Sequence, residues 1–334
     1  MANIENDLKS KNVLVTGGAG FIGSNLCDKL ISLGAAVICL DNFFTGKKDN
    51  ISHLIGQENF VLKEGDVNQP EFLEKIFDEY NIDYVFHYAA VLGVKRVTEN
   101  PLLVLPDLDG IRHLLRIAQA KKVKKIVFAS SSEAYGFSTA LPLKEDDGQE
   151  LIANQSNHAH LYALIKLIGE KIMKTYNDHY GLPTVSLRFF NVFGPRQESS
   201  AYGFVVGVFI KQILDGQPPT IYGDGYQTRD FIYIDDNVRL AIQALLEEKT
   251  NGEVINIGVG RQTTIVDLAE RLLRLSGQDL RPVFIKDRSY EIKYRSPDVT
   301  KMRRLLGDGI ADNLDDNLKK TYEWYRKNMF KQKA

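Results

Sequence analysis

Residues 12–23, NVLVTGGAGFIG, run from a short apolar stretch straight into glycines at positions 17, 20 and 23. A strand that ends in glycines so spaced and opens a helix belongs to alternating α/β architectures. Gly17 permits the tight turn, and Gly20 lets the main chain approach a pyrophosphate. Gly23 lets the helix pack closely on the strand, its N-terminal N–H groups facing the phosphates. The next apolar run, AAVICL, leads into Asp41, about 20 residues past the fingerprint, where a carboxylate accepts hydrogen bonds from an adenosine ribose. That charge repels a 2′-phosphate, so the expected cofactor is NAD rather than NADP.

Strand-like runs recur at 12–16, 36–40, 60–63, 84–88, 125–130 and 184–189, with helical spacings between them. This alternation predicts α/β, a Rossmann-like doubly wound parallel sheet with helices on both faces. A further run near 253–258 predicts that the chain returns to the first domain late. The expected organisation is an NAD-binding domain of residues 1–190 with strands near 229–237 and 253–258. A smaller, interleaved C-terminal substrate-binding lobe then comprises 191–228 and 260–334.

A formal net charge of −1 over 334 residues argues against nucleic-acid or membrane-surface partners, which need a concentrated basic field. The basic run KKVKK at 121–125 reads as a solvated turn before a strand. Cys27 and Cys39 sit among apolar neighbours and read as reduced core residues of a cytoplasmic protein. The first ten residues are polar, and no stretch is long and apolar enough to span a bilayer. His158 and His160 share no ligand constellation with the cysteines, so no metal is expected.

In HLYALIKLIGEKIMKTY the apolar spacing predicts a helix, on which Tyr162 and Lys166 share one face. A phenol of pKa near 10 is a poor base at neutral pH, but a neighbouring ammonium and an oxidised nicotinamide both favour its anion. A strand, Ile126–Ala129, ends in Ser130, Ser131, Ser132 and Glu133, at the sheet edge where ligands of open α/β sheets bind.

Together these motifs resemble the extended short-chain dehydrogenase/reductase family, in particular its NAD-dependent nucleotide-sugar epimerases, dehydratases and decarboxylases. The resemblance continues through Gly65-Asp66-Val67, His87-Tyr88-Ala89-Ala90, Leu187-Arg188-Phe189-Phe190-Asn191 and Gly194-Pro195-Arg196. It extends to Tyr222-Gly223-Asp224-Gly225, Arg229-Asp230-Phe231 and Arg295-Ser296-Pro297-Asp298. One departure stands out: where the family commonly has Asn three residues before a Gly-Thr pair, this chain has Asp107 before Gly110-Ile111.

The resemblance implies NAD recycled within each turnover, held by Gly17, Gly20, Phe21, Ile22, Gly23, Asp41, Asn42, Asp66, Val67, Ala89, Ala90, Tyr162 and Lys166. Tyr162 takes the proton of a sugar C4 hydroxyl, Ser131 hydrogen-bonds the same oxygen, and Lys166 holds the cofactor ribose and lowers the Tyr162 pKa. Ser132, Asn191, Arg229 and Arg295 are the implied substrate contacts, the arginines suiting diphosphate oxygens.

The fate of the 4-ketosugar turns on Glu133, the fourth implied catalytic residue. Ser131-Ser132-Glu133 and Arg295 resemble uronate decarboxylases and some dehydratases, whereas Ala89–Arg96 resembles epimerases. The preferred expectation is a UDP-sugar 4-epimerase, with decarboxylation or 4,6-dehydration as alternatives and a non-catalytic NAD-sensing scaffold as a remote one. Glu133 pairing with a neighbouring cation, and Arg295 simply holding a diphosphate, remain open readings. Several apolar faces around 101–120 and 161–178, including Leu114, Leu115, Leu161, Leu164, Ile168 and Ile172, join the resemblance in implying a homodimer.

Overall fold

Side-chain alternation along the central strands decides how the molecule is layered. The computed structural model describes residues 7–91, 94–136, 138, 140–147, 160–200, 203–286, 292–310 and 313–331. Six strands come first: β1 (Asn12–Thr16), β2 (Ala36–Asp41), β3 (Phe60–Glu64), β4 (Tyr84–His87), β5 (Lys125–Ser131) and β6 (Thr184–Phe189). Four short strands follow, β7 (Val192–Phe193), β8 (Thr220–Tyr222), β9 (Thr228–Arg229) and β10 (Ile232–Tyr233), and then β11 (Val254–Ile257).

The central sheet has seven strands in the order β11-β6-β5-β4-β1-β2-β3, and every pair in it is parallel. Strand order reverses between β1 and β4, which opens a crevice at their carboxyl ends. Val13, Val15, Val37, Cys39, Phe86 and Val127 point to one face and Leu14, Ile38, Leu40, Val85, Ile126 and Phe128 to the other, and each set belongs to a different core cluster. Both faces are therefore dry, as βαβ crossovers require.

One face is covered by the Pro70–Glu79, Pro106–Ala120 and His160–Tyr180 helices, through Leu73, Ile76, Phe77, Ile111, Leu114, Leu115 and Met173. The other is covered by Phe21–Ser32 and Ile234–Leu246, and that core runs on without a break to Leu318 and Tyr325 of the last helix. Residues 234–237 are therefore helical, which corrects the strand expected there. The flanking β9 and β10 have two residues each, and neither joins the central sheet: β9 pairs with Thr263–Thr264 and Tyr294–Arg295, β10 with β7. Segments of two residues carry no readable periodicity.

Lys125 departs from the solvated turn expected of 121–125. It is 4% exposed, and Nζ donates to Glu247 O at 2.8 Å and to Thr250 Oγ1 at 2.7 Å, tying β5 to the end of the Ile234–Leu246 helix. Leu114 and Leu115, named above for a partner-covered face, are fully buried within the chain's own core. Cys27 and Cys39 are free and buried. Among the described residues no helix is long and apolar enough to cross a membrane. His158 lies outside the described residues, as do Leu92 and Gly93 of the Ala89–Arg96 segment.

A buried polar chain crosses the sheet near the carboxyl end of β5. Glu170 accepts from Arg188 Nε at 2.8 Å and Nη2 at 2.7 Å, and the Ser130 hydroxyl donates to the same carboxylate at 2.5 Å. Arg188 lies over the Tyr135 ring, 4.4 Å from its centroid, and Tyr135 donates to Asn256 Oδ1 at 2.8 Å. Arg188→Met would leave the Glu170 carboxylate buried and unpaired, and should lower unfolding free energy by about 3–5 kcal/mol in urea titrations.

Candidate active site

The turn after β1 is main chain packed on main chain. Gly17 has φ +70°, and a Cβ there would lie 2.8 Å from Ala89 N, at the end of the neighbouring strand. A Cβ on Gly23 would lie 2.1 Å from Gly17 O. The two glycines thus meet the demands read from sequence. Gly20 differs: it caps the Phe21–Ser32 helix, a Cβ there would come no nearer than 3.2 Å to Gly17 O, and it does not line the cavity. Gly18, not singled out in the sequence, is the tighter position, with Cys39 Sγ 2.5 Å from a built Cβ.

A cavity of about 540 Å³ opens along the carboxyl ends of the strands. One end holds Asp41, Asn42, Asp66 and Val67; the middle holds Gly17, Phe21, Ile22, Gly23, Ala89 and Ala90. Ser131, Ser132, Glu133, Tyr162, Lys166, Asn191, Arg229 and Arg295 line the rest. Apart from Gly20, then, every site residue expected from the sequence faces one cavity.

At the reacting end, β5 delivers Ser131, whose Oγ accepts from Glu133 N at 3.1 Å and also bonds Tyr162. Tyr162 and Lys166 project from the first turns of the His160–Tyr180 helix, the ammonium 5.6 Å from the Tyr162 ring centroid and donating to Ala129 O at 2.8 Å. Arg295 Nη1 donates to Glu133 Oε1, joining positions 162 residues apart. Asn191 donates from Nδ2 to Asp230 O at 3.0 Å. Arg229 Nη1 donates to Thr228 O at 2.8 Å and to Ile292 O at 2.9 Å.

A strand-end serine, a Tyr and Lys one turn apart, and a glycine cradle at a strand-order reversal have counterparts among known proteins. The profile of the NAD dependent epimerase/dehydratase family matches residues 13–258. The chain belongs to that family. It is 36% identical over 323 residues to a UDP-N-acetyl-alpha-D-glucosaminuronate decarboxylase of Bacillus cytotoxicus, covering 95% of this chain and 98% of the relative. It is similar to the crystal structure of Thermotoga maritima UDP-glucose 4-epimerase with UDP-glucose, at TM-score 0.88 and 34% identity, covering 95% and 99% of the two chains. A structure of Bacillus cereus UDP-glucuronic acid 4-epimerase with UDP-glucuronic acid and NAD matches at TM-score 0.85 and 33% identity, with the same coverage.

This NAD dependent epimerase/dehydratase family member has the residues to fit a dinucleotide. A side chain at Gly17 or Gly23 would collide with main chain and displace the turn that lines the cavity. Asp41 is held there by backbone donors, Ala19 N at 2.9 Å to Oδ2 and Phe43 N at 2.8 Å to Oδ1, while burial pushes its pKa up. The Tyr162 environment runs against the lowering expected from Lys166. Burial pushes the phenol well above its ordinary value, the Ser131 hydrogen bond opposes this, and Glu133 and Asp107 add to it.

Several lining residues went unassigned in the sequence. Arg96 and Glu198 face each other at 3.5 Å across the cavity, and Arg196, which pairs with Asp28 at 2.7 Å, and Phe204 complete that side. Arg196 carried a readable signal, the Gly-Pro-Arg that follows Asn191, and Arg96 ends the Ala89–Arg96 segment singled out above. Asp230, fully buried, accepts from Val259 N, Gly260 N and Arg261 N at 2.6–2.8 Å, fixing the loop after β11 beside Arg229.

The glycine geometry separates two substitutions that look equivalent in sequence. Gly23→Ala should destabilise the protein by about 1–3 kcal/mol through overpacking. Gly20→Ala should cost less in the same chemical-denaturation experiment, because its Cβ would stand 3.2 Å from Gly17 O, a tight contact but short of the 2.1 Å overlap at Gly23.

Proposed function

We propose that the protein is an NAD-retaining enzyme that oxidises C4 of a nucleotide sugar transiently, and that its net reaction is UDP-sugar 4-epimerisation. The observation that carries this reading is the single cavity running from the Asp41 carboxylate, past the glycine cradle, to Ser131, Tyr162 and Lys166. Bound NAD supplies a hydride acceptor for C4 and a positive ring charge beside the phenol. Asp41, Asn42, Asp66 and Val67 hold its adenosine end, and Gly17, Phe21, Ile22, Gly23, Ala89 and Ala90 its diphosphate. Lys166 takes the nicotinamide ribose.

Tyr162 accepts the C4 hydroxyl proton and returns it, with Ser131 donating to the same oxygen. Burial lifts the phenol, so positive charge from Lys166 and the cofactor must stabilise the tyrosinate at the moment of transfer. Asn191, Arg229 and Ser132 orient the substrate, and Arg229 meets diphosphate oxygens.

Epimerisation is favoured over decarboxylation by the Glu133–Arg295 pair. A guanidinium already engaged by a carboxylate offers no net positive charge to a uronate, and the engaged carboxylate is a poor candidate for a free base. A neutral sugar asks for neither. The second reading, decarboxylation, draws on the same two residues facing the cavity and on the decarboxylase relative; it requires the pair to open when a uronate binds. A non-catalytic scaffold would have no need to keep Ser131, Tyr162 and Lys166 converging.

We further place the chain in the cytoplasm, as a homodimer. The two buried free cysteines suit a reducing compartment. Leu102, Leu105 and Ile168 are 66%, 44% and 42% exposed beside the Pro106–Ala120 and His160–Tyr180 helices, apolar surface that a second copy would cover.

Incubation with UDP-glucose, UDP-glucuronate and UDP-N-acetylglucosaminuronate, read by mass spectrometry and NMR, should give a C4 epimer of unchanged mass. Loss of carbon dioxide or water would replace the proposal with one of the lyase reactions. Tyr162→Phe should lower kcat at least about a hundredfold with cofactor retained, as expected for loss of a general base. Glu133→Gln should keep most of the activity, whereas a stalled enzyme carrying reduced nicotinamide absorbance would give Glu133 a part in lyase chemistry.

A further inference from the structure

The two ends of the cavity are closed in different ways. At the Asp41 end the chain is tied down through the main chain: Lys47 N donates to Ala19 O at 3.0 Å, Asn50 Nδ2 donates to the same oxygen at 2.9 Å, and Ala19 N donates in turn to Asp41. At the other end two walls meet through side chains. One wall is the helix Val94–Glu99, the other the loop 194–200 after β7, and Arg96 Nη2 lies 3.5 Å from Glu198 Oε1 between them.

The loop is the fixed wall. Arg196 Nη2 lies 2.7 Å from Asp28 Oδ2, and Asn25 Nδ2 donates to Pro195 O at 3.3 Å, both partners coming from the Phe21–Ser32 helix. Gln197 Nε2 donates to Val192 O at 2.8 Å, and the Tyr325 hydroxyl donates to Gln197 O. A Cβ on Gly203 would lie 2.1 Å from Glu198 O, so main chain packs on main chain here too. The Glu198 carboxylate is steadied within the loop by the Ser200 hydroxyl, which donates to Oε1 at 2.7 Å.

The helix is the movable wall. Its six residues make under two turns. Val97 anchors it in a cluster that holds three buried residues among those described, with Val104 and Ile165, rimmed by Val91, Leu161 and Tyr162. Elements with so few buried apolar contacts open at far lower cost than a sheet core. The Arg96–Glu198 separation exceeds the usual hydrogen-bond range and the two side chains are 17% and 30% exposed, so this contact breaks and re-forms readily. Arg295, the cation of the other charged pair facing the cavity, is by contrast sealed from solvent.

We propose that Arg96 and Glu198 form a latch: the Val94–Glu99 helix parts from the loop to let the nucleotide sugar in and out, while the cofactor end stays shut. This rests on the reading that NAD is retained and the sugar is exchanged in every turnover, which requires one wall that moves and one end that does not. Because Val97 shares its cluster with Tyr162, closing the latch also seats the helix against the reacting phenol and keeps water from it. The two side chains thus govern how long the sugar stays, acting through the position of the helix.

The test uses the full chain loaded with NAD. Amide exchange across 94–99, read by mass spectrometry with residues 21–32 as internal reference, should speed up in the wild type as sodium chloride rises from about 0.01 M to about 1 M, because salt screens the pair. At low salt, Arg96→Gln and Glu198→Gln should each speed exchange there roughly two- to fivefold, the size of a partly exposed ion pair. UDP-glucose should bind to and leave both variants faster by a similar factor in surface plasmon resonance, with bound NAD unchanged by absorbance after desalting. Combining Arg96→Glu with Glu198→Arg should bring both rates back toward wild type, which a merely structural role for either residue would not do. Exchange across 94–99 that ignores salt overturns the proposal, and that measurement needs no variant to fold. Faster exchange with unchanged UDP-glucose rates also overturns it, as does loss of NAD from the single variants or a charge swap that restores nothing. If UDP-glucose does not bind the wild type at all, the substrate reading is what fails, and the exchange rates still decide whether the pair holds the wall closed.

Discussion

Glu170 and Arg188 meet in the interior, both 2% exposed at the side chain, and the reacting end of the cavity takes its geometry from that contact. Glu170 belongs to the helix that carries Tyr162 and Lys166, Arg188 to β6, and the Ser130 hydroxyl on the same carboxylate to β5, one residue before Ser131. Three elements are thereby pinned at the place where phenol, ammonium and hydroxyl must converge. A buried ion pair adds little net stability over an apolar replacement, but breaking one half of it is costly, so the arrangement resists small displacements. Tyr135 and Asn256 extend the constraint to β11, so the strand that arrives last along the chain still bears on the site.

Charge around the cavity is balanced locally rather than overall. Glu133 answers Arg295, Glu170 answers Arg188, Asp28 answers Arg196, and Glu198 answers Arg96. Asp41 and Asp107 carry buried negative charge held by backbone N–H groups, and both are pushed upward by desolvation. Such a cavity leaves few unspent charges. This is why the Glu133–Arg295 pair weighs on the choice between a neutral sugar and a uronate.

The buried parallel strands were readable from the chain because both faces of the sheet are dry, which turns each strand into a continuous apolar run. β1 and β6 fall at the positions expected, and β2, β3, β4, β5 and β11 within a residue or two. Gly17, Gly23, Asp41, Ser131, Tyr162 and Lys166 were readable for a related reason. Each sits at a fixed offset from a strand end or within one helical turn, so local periodicity places it. Gly18 was not singled out, since sequence spacing alone cannot say which glycine of a loop is crowded.

Contacts between distant segments were beyond such reading. Glu133 finds Arg295 across 162 positions, Lys125 finds Thr250 across 125, and the Ile234–Leu246 helix docks beside Phe21–Ser32, and no pattern along the chain encodes those meetings. The residues and their order therefore settled the α/β class and the strand sequence, because hydrophobic period and turn chemistry act over a few residues. Which charges are spent on one another was settled only in three dimensions, where burial makes each unpaired charge expensive and proximity decides its partner.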